Sequence, residues 1–164
     1  MYKMSNDQDS QFNKAYDYAM FLLNIRLRTE GEIASKLQIK NYKFQIIQEV
    51  IAGLKAQRYL DDLRYAEVYL ENLKKYKNWG YYGIKKKFME KKLSSIIIEQ
   101  VLTEGLSEEE ELAIAKKLFT KLNSLPLRGR DKGGVMTRED KSRLAQKLKA
   151  RGFRGNIISK LIFA

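Results

Sequence analysis

One pattern of apolar residues occurs three times in this chain, and it constrains the fold more than any other feature. It covers residues 33–51 and recurs at offsets of 51 and 111 residues, in residues 84–102 and 144–162. The matched positions are Ile33, Leu37, Tyr42, Ile46, Ile47, Val50 and Ile51, then Ile84, Phe88, Leu93, Ile97, Ile98, Val101 and Leu102, then Leu144, Leu148, Phe153, Ile157, Ile158, Leu161 and Ile162. Spacings of three and four residues indicate helices that bury one face. The repetition predicts tandem helical units that pack against their neighbours.

Helix-start and helix-end signals divide the chain around these copies. Thr29 with Glu32, and Ser107 with Glu110, have the spacing of capping boxes, and Asp61 has the position of a helix N-cap. The predicted fold is all-α, with three tandem three-helix repeats in an elongated, curved array. The predicted segments are a flexible N-terminal tail at 1–11 and repeats at 12–60, 61–105 and 106–164, the last with an extended loop at 123–136.

The first helix of the first repeat is predicted from apolar residues at helical spacing after Phe12. The residues expected to be buried in this helix are Ala15, Ala19, Leu22, Leu23 and Ile25.

The composition excludes several kinds of site. The chain has no cysteine and no histidine, which removes thiolate chemistry and the commonest general base and metal ligand. Asp61 and Asp62 are interpreted as helix-capping residues, because nothing nearby completes the set of oxygen ligands that a hard cation needs. No catalytic residue, metal or cofactor is predicted. The polar start of the chain and the absence of a long apolar run predict a cytoplasmic protein without a membrane partner, and we expect a monomer.

The net charge of +12 predicts a polyanionic partner, with nucleic acid favoured over an anionic membrane surface. The repeat alignment places a basic pair at the same position in each copy. The pairs are Lys36 and Lys40, Lys87 and Lys91, and Lys147 and Arg151. Residues four apart share a helix face, so each repeat is expected to present one pair. For any single pair, ordinary solvated lysines are the favoured interpretation, but three pairs in register favour a basic strip.

These pairs and their basic neighbours form the predicted binding strip for nucleic acid or a filament. Its residues are Lys36, Lys40, Lys85, Lys86, Lys87, Lys91, Lys92, Arg128, Arg130, Lys132, Lys147, Arg151 and Arg154. Such a strip neutralises phosphates with little sequence preference, and it does not distinguish single-stranded from double-stranded DNA. Trp79, Tyr81 and Tyr82 lie beside it and could stack on bases, or could instead pack the hinge between two helices. Gly80 and Gly83 do not form a phosphate loop, because no strand precedes them.

The segment Tyr59-Leu60-Asp61-Asp62-Leu63-Arg64-Tyr65-Ala66, followed by a basic helix over residues 80–93, resembles the RecX family. Arg28-Thr29 with Glu32-Ile33 and Lys36-Leu37 is similar to the family's pattern in the first repeat. RecX proteins regulate, and mostly inhibit, the RecA recombinase in DNA repair and homologous recombination. The resemblance implies a non-enzymatic protein that binds RecA filaments and DNA and limits filament growth, strand exchange and ATPase activity.

Two positions depart from that family pattern. Arg58 stands where the family usually has glycine, and Lys91-Lys92 stands where it usually has Lys-Gly. The repeat alignment places Lys92 opposite Asn41 and Gly152, at a helix end that favours residues tolerant of positive φ. We therefore expect either backbone strain at Lys92 or a shifted helix end.

Two other functions remain open on the sequence alone. A general nucleic-acid-binding scaffold without a recombinase partner explains the charge equally well. An enzyme is disfavoured, because no paired acid and base are present.

Overall fold

A computed structural model describes residues 6–123 and 136–162, and within these ranges the chain contains helices and no strand. The helices are α1 (Asn6–Ile25), α2 (Glu30–Ile39), α3 (Phe44–Ala56), α4 (Asp62–Asn72), α5 (Tyr81–Glu90), α6 (Ser95–Gly105), α7 (Glu108–Asn123), α8 (Arg138–Ala150) and α9 (Gly155–Ile162). A π-helical turn, Leu73–Lys77, follows α4 directly. The all-α prediction is confirmed.

The N-terminal helix starts earlier than the sequence predicted. α1 begins at Asn6, so the predicted tail at 1–11 is wrong for residues 6–11. Asp7 and Asp9 lie in its first turn, where negative charge is favoured by the helix dipole. The acidic residues of this stretch therefore signal the start of a helix and not a tail. Residues 1–5 and most of the predicted loop, 124–135, lie outside the described residues.

The chain divides into two compact units. Unit 1 comprises Met1–Ala66 and Met89–Ile97, and unit 2 comprises Glu67–Phe88 and Ile98–Ala164. The divisions fall inside α4, α5 and α6, so the second predicted repeat contributes to both units. The three-repeat domain division stays a prediction.

Each unit has its own core, built from the apolar residues that define the repeats. The unit 1 core contains Ala15, Ala19, Leu22, Ile33, Leu37, Ile46, Ile47, Val50, Ile51, Leu54 and Leu60. A core in unit 2 contains Ala115, Leu118, Leu144, Leu148, Phe153, Ile157 and Ile162. Ile25 was predicted to be buried and is 60% exposed. At about 100° per residue it lies roughly 90° from the stripe formed by Ala15, Ala19 and Leu22, so it faces solvent.

Four of the α-helices in the described ranges end in the same way, with a residue in the left-handed conformation. These residues are Asn41, Arg58, Lys92 and Gly152, with φ of +62°, +60°, +58° and +75°. At Asn41 the two hydrogen bonds of a Schellman motif are present, Asn41 N–H to Gln38 O at 2.9 Å and Tyr42 N–H to Leu37 O at 3.3 Å.

Three of these four residues occupy the same position in the repeat alignment. Asn41, Lys92 and Gly152 are equivalent, and all three adopt positive φ. The end of α5 is therefore not shifted, and the unfavourable conformation predicted at Lys92 is present. Arg58 is a departure of the same kind, because its backbone also adopts the left-handed conformation that suits glycine.

Replacing Arg58 with glycine is expected to raise the free energy of unfolding by about 0.5–1 kcal/mol. The left-handed conformation costs a residue with a Cβ about 1–2 kcal/mol, and the greater freedom of glycine in the unfolded chain offsets part of the gain. Urea denaturation followed by circular dichroism measures the change. Arg58→Ala is the matched control, because it shortens the side chain but keeps the Cβ. An equal gain in both variants would assign the effect to the side chain and not to φ.

Candidate nucleic-acid interface

In unit 2 two predicted basic residues converge on one aromatic ring. Lys87 Nζ lies 5.5 Å and the Arg151 guanidinium carbon 4.9 Å from the centroid of Trp79, within the range of cation–π attraction. Arg151 Nη1 also donates a hydrogen bond of 3.0 Å to the carbonyl oxygen of Lys77. We call Lys77, Trp79, Lys87 and Arg151 the Trp79 cluster. It brings together residues from three separate segments of the sequence.

The Trp79 cluster forms because the start of α5 lies directly against the turn between α8 and α9. Gly80 N–H donates to Arg151 O at 3.0 Å, and Tyr82 N–H donates to Gly152 O at 2.8 Å. A Cβ at Gly83 would lie 2.4 Å from Arg151 O and 2.7 Å from the Trp79 ring. The two glycines therefore permit backbone contact between helices, which is a packing role and not a phosphate loop.

A buried carboxylate holds this junction together. Glu111 of α7 is fully buried, and its Oε1 accepts hydrogen bonds of 3.0 Å from both Tyr81 N–H and Arg154 N–H. Its Oε2 forms an ion pair with Arg154 Nε. Arg154 in turn lies over the Tyr81 ring, 5.3 Å from its centroid. Glu111 thus satisfies free amides at the starts of α5 and α9 and fixes the Arg154 side chain.

Unit 1 contains a similar buried carboxylate. Asp62 of α4 is 6% exposed, and its Oδ1 accepts a hydrogen bond of 2.8 Å from Glu30 N–H at the start of α2. Its neighbour Asp61 caps α4 itself through Arg64 N–H at 3.0 Å, as the sequence predicted. In both units, therefore, an acidic side chain near the start of one helix caps the start of another helix.

Burial makes Asp62 an unusually weak acid. Desolvation raises the pKa of Asp62 to about 6, and the hydrogen bond from Glu30 N–H only partly opposes this shift. An unfolded aspartate has a pKa of about 3.9, so the unfolded chain releases this proton first. The contribution of Asp62 to stability therefore falls as pH rises from about 4 through 6 and is constant above that window.

Asp62→Asn is expected to remove this pH dependence. The free energy of unfolding of the wild type, measured relative to Asp62→Asn, should fall by about 2 kcal/mol between pH 4 and pH 7. Parallel urea denaturations across this pH range measure the difference, in which other titrating groups largely cancel. Asp61→Asn is the control, because it changes an exposed neighbouring carboxylate and keeps Asp62, so its stability relative to Asp62→Asn should still fall with pH. A flat profile for Asp62→Asn would contradict the raised pKa.

The basic pair residue Lys91 is engaged within unit 1. Its Nζ lies 3.6 Å from Glu32 Oε1, and Arg26 Nη2 lies 3.1 Å from the same oxygen. Burial disfavours the charged form of Glu32, but Arg26 and Lys91 outweigh it and lower the pKa of Glu32. The Lys91 carbonyl oxygen accepts a hydrogen bond from the fully buried hydroxyl of Thr29. Lys91 therefore helps to join α2 to the α5–α6 turn.

The other predicted basic residues differ in how far they are available to a partner. Lys85 pairs with Glu99, which also accepts a hydrogen bond from the Tyr81 hydroxyl. Lys40 lies over the Tyr18 ring, 5.5 Å from its centroid, and Lys92 Nζ bonds to Ser35. Within the described ranges, the exposed lysines Lys36, Lys86 and Lys147 have no carboxylate partner. Arg128, Arg130 and Lys132 lie outside the described residues.

The three candidate stacking residues also differ in exposure. Tyr82 is 59% exposed, whereas Trp79 and Tyr81 are half-buried and already contact cations. Tyr81 and Tyr82 meet edge to face, with ring centroids 5.3 Å apart. Tyr82 is thus the one of the three whose ring is open for stacking, and Trp79 and Tyr81 pack the helix junction.

Reasoning from sequence missed three features of this site. Glu111 is one of four successive glutamates at the start of α7, and its spacing of four residues from Ala115 and seven from Leu118 is the signal that places it on the buried face. Asp62 was interpreted as a cap of its own helix, whereas it caps α2. The hydrogen bond from Arg151 to the Lys77 carbonyl oxygen has no signal in the sequence, because only the fold brings these two residues together.

Within the described residues, no helix is long and apolar enough to span a membrane. No cluster of three or more potential metal-ligating side chains is found in the same ranges.

An all-α protein whose helices meet, within each unit, at junctions rich in charged side chains is the class that this fold and site define. A sequence model of the first three-helix domain of RecX matches residues 15–54. Regulatory protein RecX of Geobacillus kaustophilus is 30% identical over 152 residues, which are 93% of this chain and 54% of that protein. The protein of the same name from Finegoldia magna is 33% identical over 115 residues, which are 70% of this chain and 56% of that protein.

Solved structures agree with these sequence matches. The crystal structure of RecX from Lactobacillus salivarius superimposes with a TM-score of 0.80 at 25% identity, covering 94% of this chain and 96% of that one. A crystal structure of regulatory protein RecX shares the fold, with a TM-score of 0.74 at 23% identity, covering 96% of this chain and 73% of that one. The chain belongs to the RecX family. It spans about half the length of the curated relatives that it matches.

Proposed function

We propose that this protein is a non-enzymatic regulator that binds RecA filaments and DNA and inhibits filament growth, strand exchange and ATP hydrolysis by the recombinase. The observation that carries the proposal is the match to proteins named regulatory protein RecX over 93% of the chain. We further propose that it acts as a monomer in the cytoplasm.

The distribution of charge supports the DNA-binding part of the proposal. Unit 2 carries three exposed basic residues of the predicted strip, Lys86, Lys147 and Arg151. In unit 2 the Trp79 cluster holds its cations beside an aromatic ring. These cations can neutralise phosphates, and the exposed ring of Tyr82 can stack on a base, without requiring a particular base sequence.

The DNA-binding part is tested through its salt dependence. Lys86→Gln combined with Lys147→Gln should reduce the slope of log affinity against log salt by about 1.4–1.8, because each lost phosphate contact removes about 0.7–0.9. Both lysines are exposed, so the fold should be unaffected. Lys116→Gln combined with Lys117→Gln, two exposed lysines of α7, is the matched control. An unchanged slope in the first variant would remove Lys86 and Lys147 from the interface.

The net charge of +12 also supports a general nucleic-acid-binding scaffold with no recombinase partner. The two functions differ in whether excess DNA relieves the inhibition of RecA. A scaffold competes with RecA for DNA, so excess DNA relieves any inhibition. A filament regulator continues to act, because its target is the assembled filament.

A further inference from the structure

Unit 1 exposes large apolar side chains on both sides of two turns. Ile39 and Phe44 flank the turn between α2 and α3 and are 72% and 76% exposed. Met89 and Ile96 flank the turn between α5 and α6 and are 62% and 78% exposed. Groups of exposed apolar side chains at this level commonly mark interaction surfaces.

Contacts within unit 1 join the two turns into one surface. A Cβ at Gly31 of α2 would lie 2.5 Å from Lys92 O, so the α5–α6 turn lies directly against this helix. Lys92 Nζ reaches Ser35, and Lys92 N–H bonds to Met89 O at 2.9 Å. Ile39 is one helical turn beyond Ser35 on α2. The apolar residues therefore lie at both ends of a continuous surface that has Lys92 at its centre.

The turn itself does not require these apolar residues. The α8–α9 turn has the same left-handed helix end, at Gly152. In the repeat alignment its flanking positions are Lys149, Ala150, Gly155 and Asn156, none of which is a large apolar residue. A turn of this kind therefore forms without large apolar side chains at its flanking positions, so the four exposed side chains of unit 1 are not needed for the turns.

The charge around this surface limits what can occupy it. Its exposed lysines are Lys36, Lys40, Lys43 and Lys92. A second copy of the chain would bring like charges together, which opposes self-association. Nucleic acid would satisfy the lysines, but only Phe44 offers a ring for base stacking, and Ile39, Met89 and Ile96 would gain little. A protein segment with both acidic and apolar side chains complements both features.

We infer that this apolar–basic face, formed by Ile39, Phe44, Met89, Ile96 and the four lysines, docks an acidic, amphipathic segment of a protein partner. The inference rests on the proposed function, because it assigns the protein-binding part of that function to unit 1. The phosphate-binding role remains with the basic residues of unit 2.

The first test uses RecA filaments assembled with a non-hydrolysable ATP analogue on oligo(dT). Ile39→Ser combined with Ile96→Ser should weaken binding of the full chain to filaments by about tenfold or more, with binding to naked oligo(dT) unchanged. Phe21→Ser combined with Ile25→Ser is the matched control, because these α1 residues are 59% and 60% exposed. Equal losses in the two variants, or a loss on naked oligo(dT), would overturn the inference.

The second test does not depend on RecA, so it separates failure of this inference from failure of the proposed function. Its probes are two amphipathic helical peptides of about 20 residues, one of leucine and glutamate and one of leucine and lysine. The wild type should bind the glutamate peptide, Ile39→Ser/Ile96→Ser should lose that binding, and the lysine peptide should not bind. Absence of glutamate-peptide binding would overturn the inference. So would binding to phosphatidylglycerol vesicles or self-association that the same variant abolishes.

Discussion

Glu111→Ala is expected to lower the free energy of unfolding of unit 2 by about 3–5 kcal/mol, because it leaves a paired arginine and two helix-start amides without their acceptor in a buried site. Trp79 is the only tryptophan, so urea denaturation followed by its fluorescence reports on unit 2. Glu111→Gln retains an oxygen for the two amides but loses the charge that pairs with Arg154. It should therefore fall between Glu111→Ala and the wild type.

The matched control for this prediction is Glu109→Ala. Glu109 belongs to the same first turn of α7 and is exposed, so its loss removes a similar helix-dipole interaction without uncovering a buried group. We expect a change of about 0.5 kcal/mol. If Glu111→Ala and Glu109→Ala had similar effects, the buried carboxylate would not be what holds the α5, α7 and α9 helices together.

Gly83→Ala is expected to lower the stability of unit 2 by about 2–3 kcal/mol, although alanine normally favours a helix. The added Cβ would lie 2.4 Å from the Arg151 carbonyl oxygen, a backbone atom that can move only with its whole turn. The same variant should lower affinity for DNA, because the displaced turn carries Arg151 away from Trp79. Denaturation monitored by fluorescence and a DNA-binding titration measure the two effects.

Gly53→Ala in α3 is the control for this substitution. A Cβ there would meet only Tyr16 Cε2, at 3.7 Å, which is ordinary van der Waals contact. Gly53→Ala should therefore raise stability by about 0.5–1 kcal/mol, as expected for a glycine inside a helix. A loss at Gly53 comparable to that at Gly83 would show that close backbone approach is not the cause.

Features with a local physical cause could be predicted from the sequence. The capping boxes at Thr29 and Ser107 are present, because hydroxyl and carboxylate three residues apart satisfy each other's amides in any helix start. The alignment of Lys92 with Asn41 and Gly152 predicted a helix end, since chain reversal after a helix requires a left-handed residue. Apolar spacing identified most of the core.

Features that depend on the approach of distant segments could not be predicted. Helical spacing places Glu111 on the face of Ala115 and Leu118, but its partners at the starts of α5 and α9 depend on how those helices pack against α7. Tyr81 and Trp79 could be recognised as aromatic, but their half-buried positions follow from glycines that let the α8–α9 turn approach. Which residues bind a partner stays a prediction. The structure shows which of the predicted residues already have partners within their own unit.

The rate of ATP hydrolysis by RecA on single-stranded DNA tests the proposal that this protein acts on the RecA filament. With the protein titrated in well below one molecule per RecA, we expect a large fall in rate that excess DNA does not restore. No change in rate, or an inhibition that excess DNA relieves, would contradict the proposal and favour the general nucleic-acid-binding scaffold.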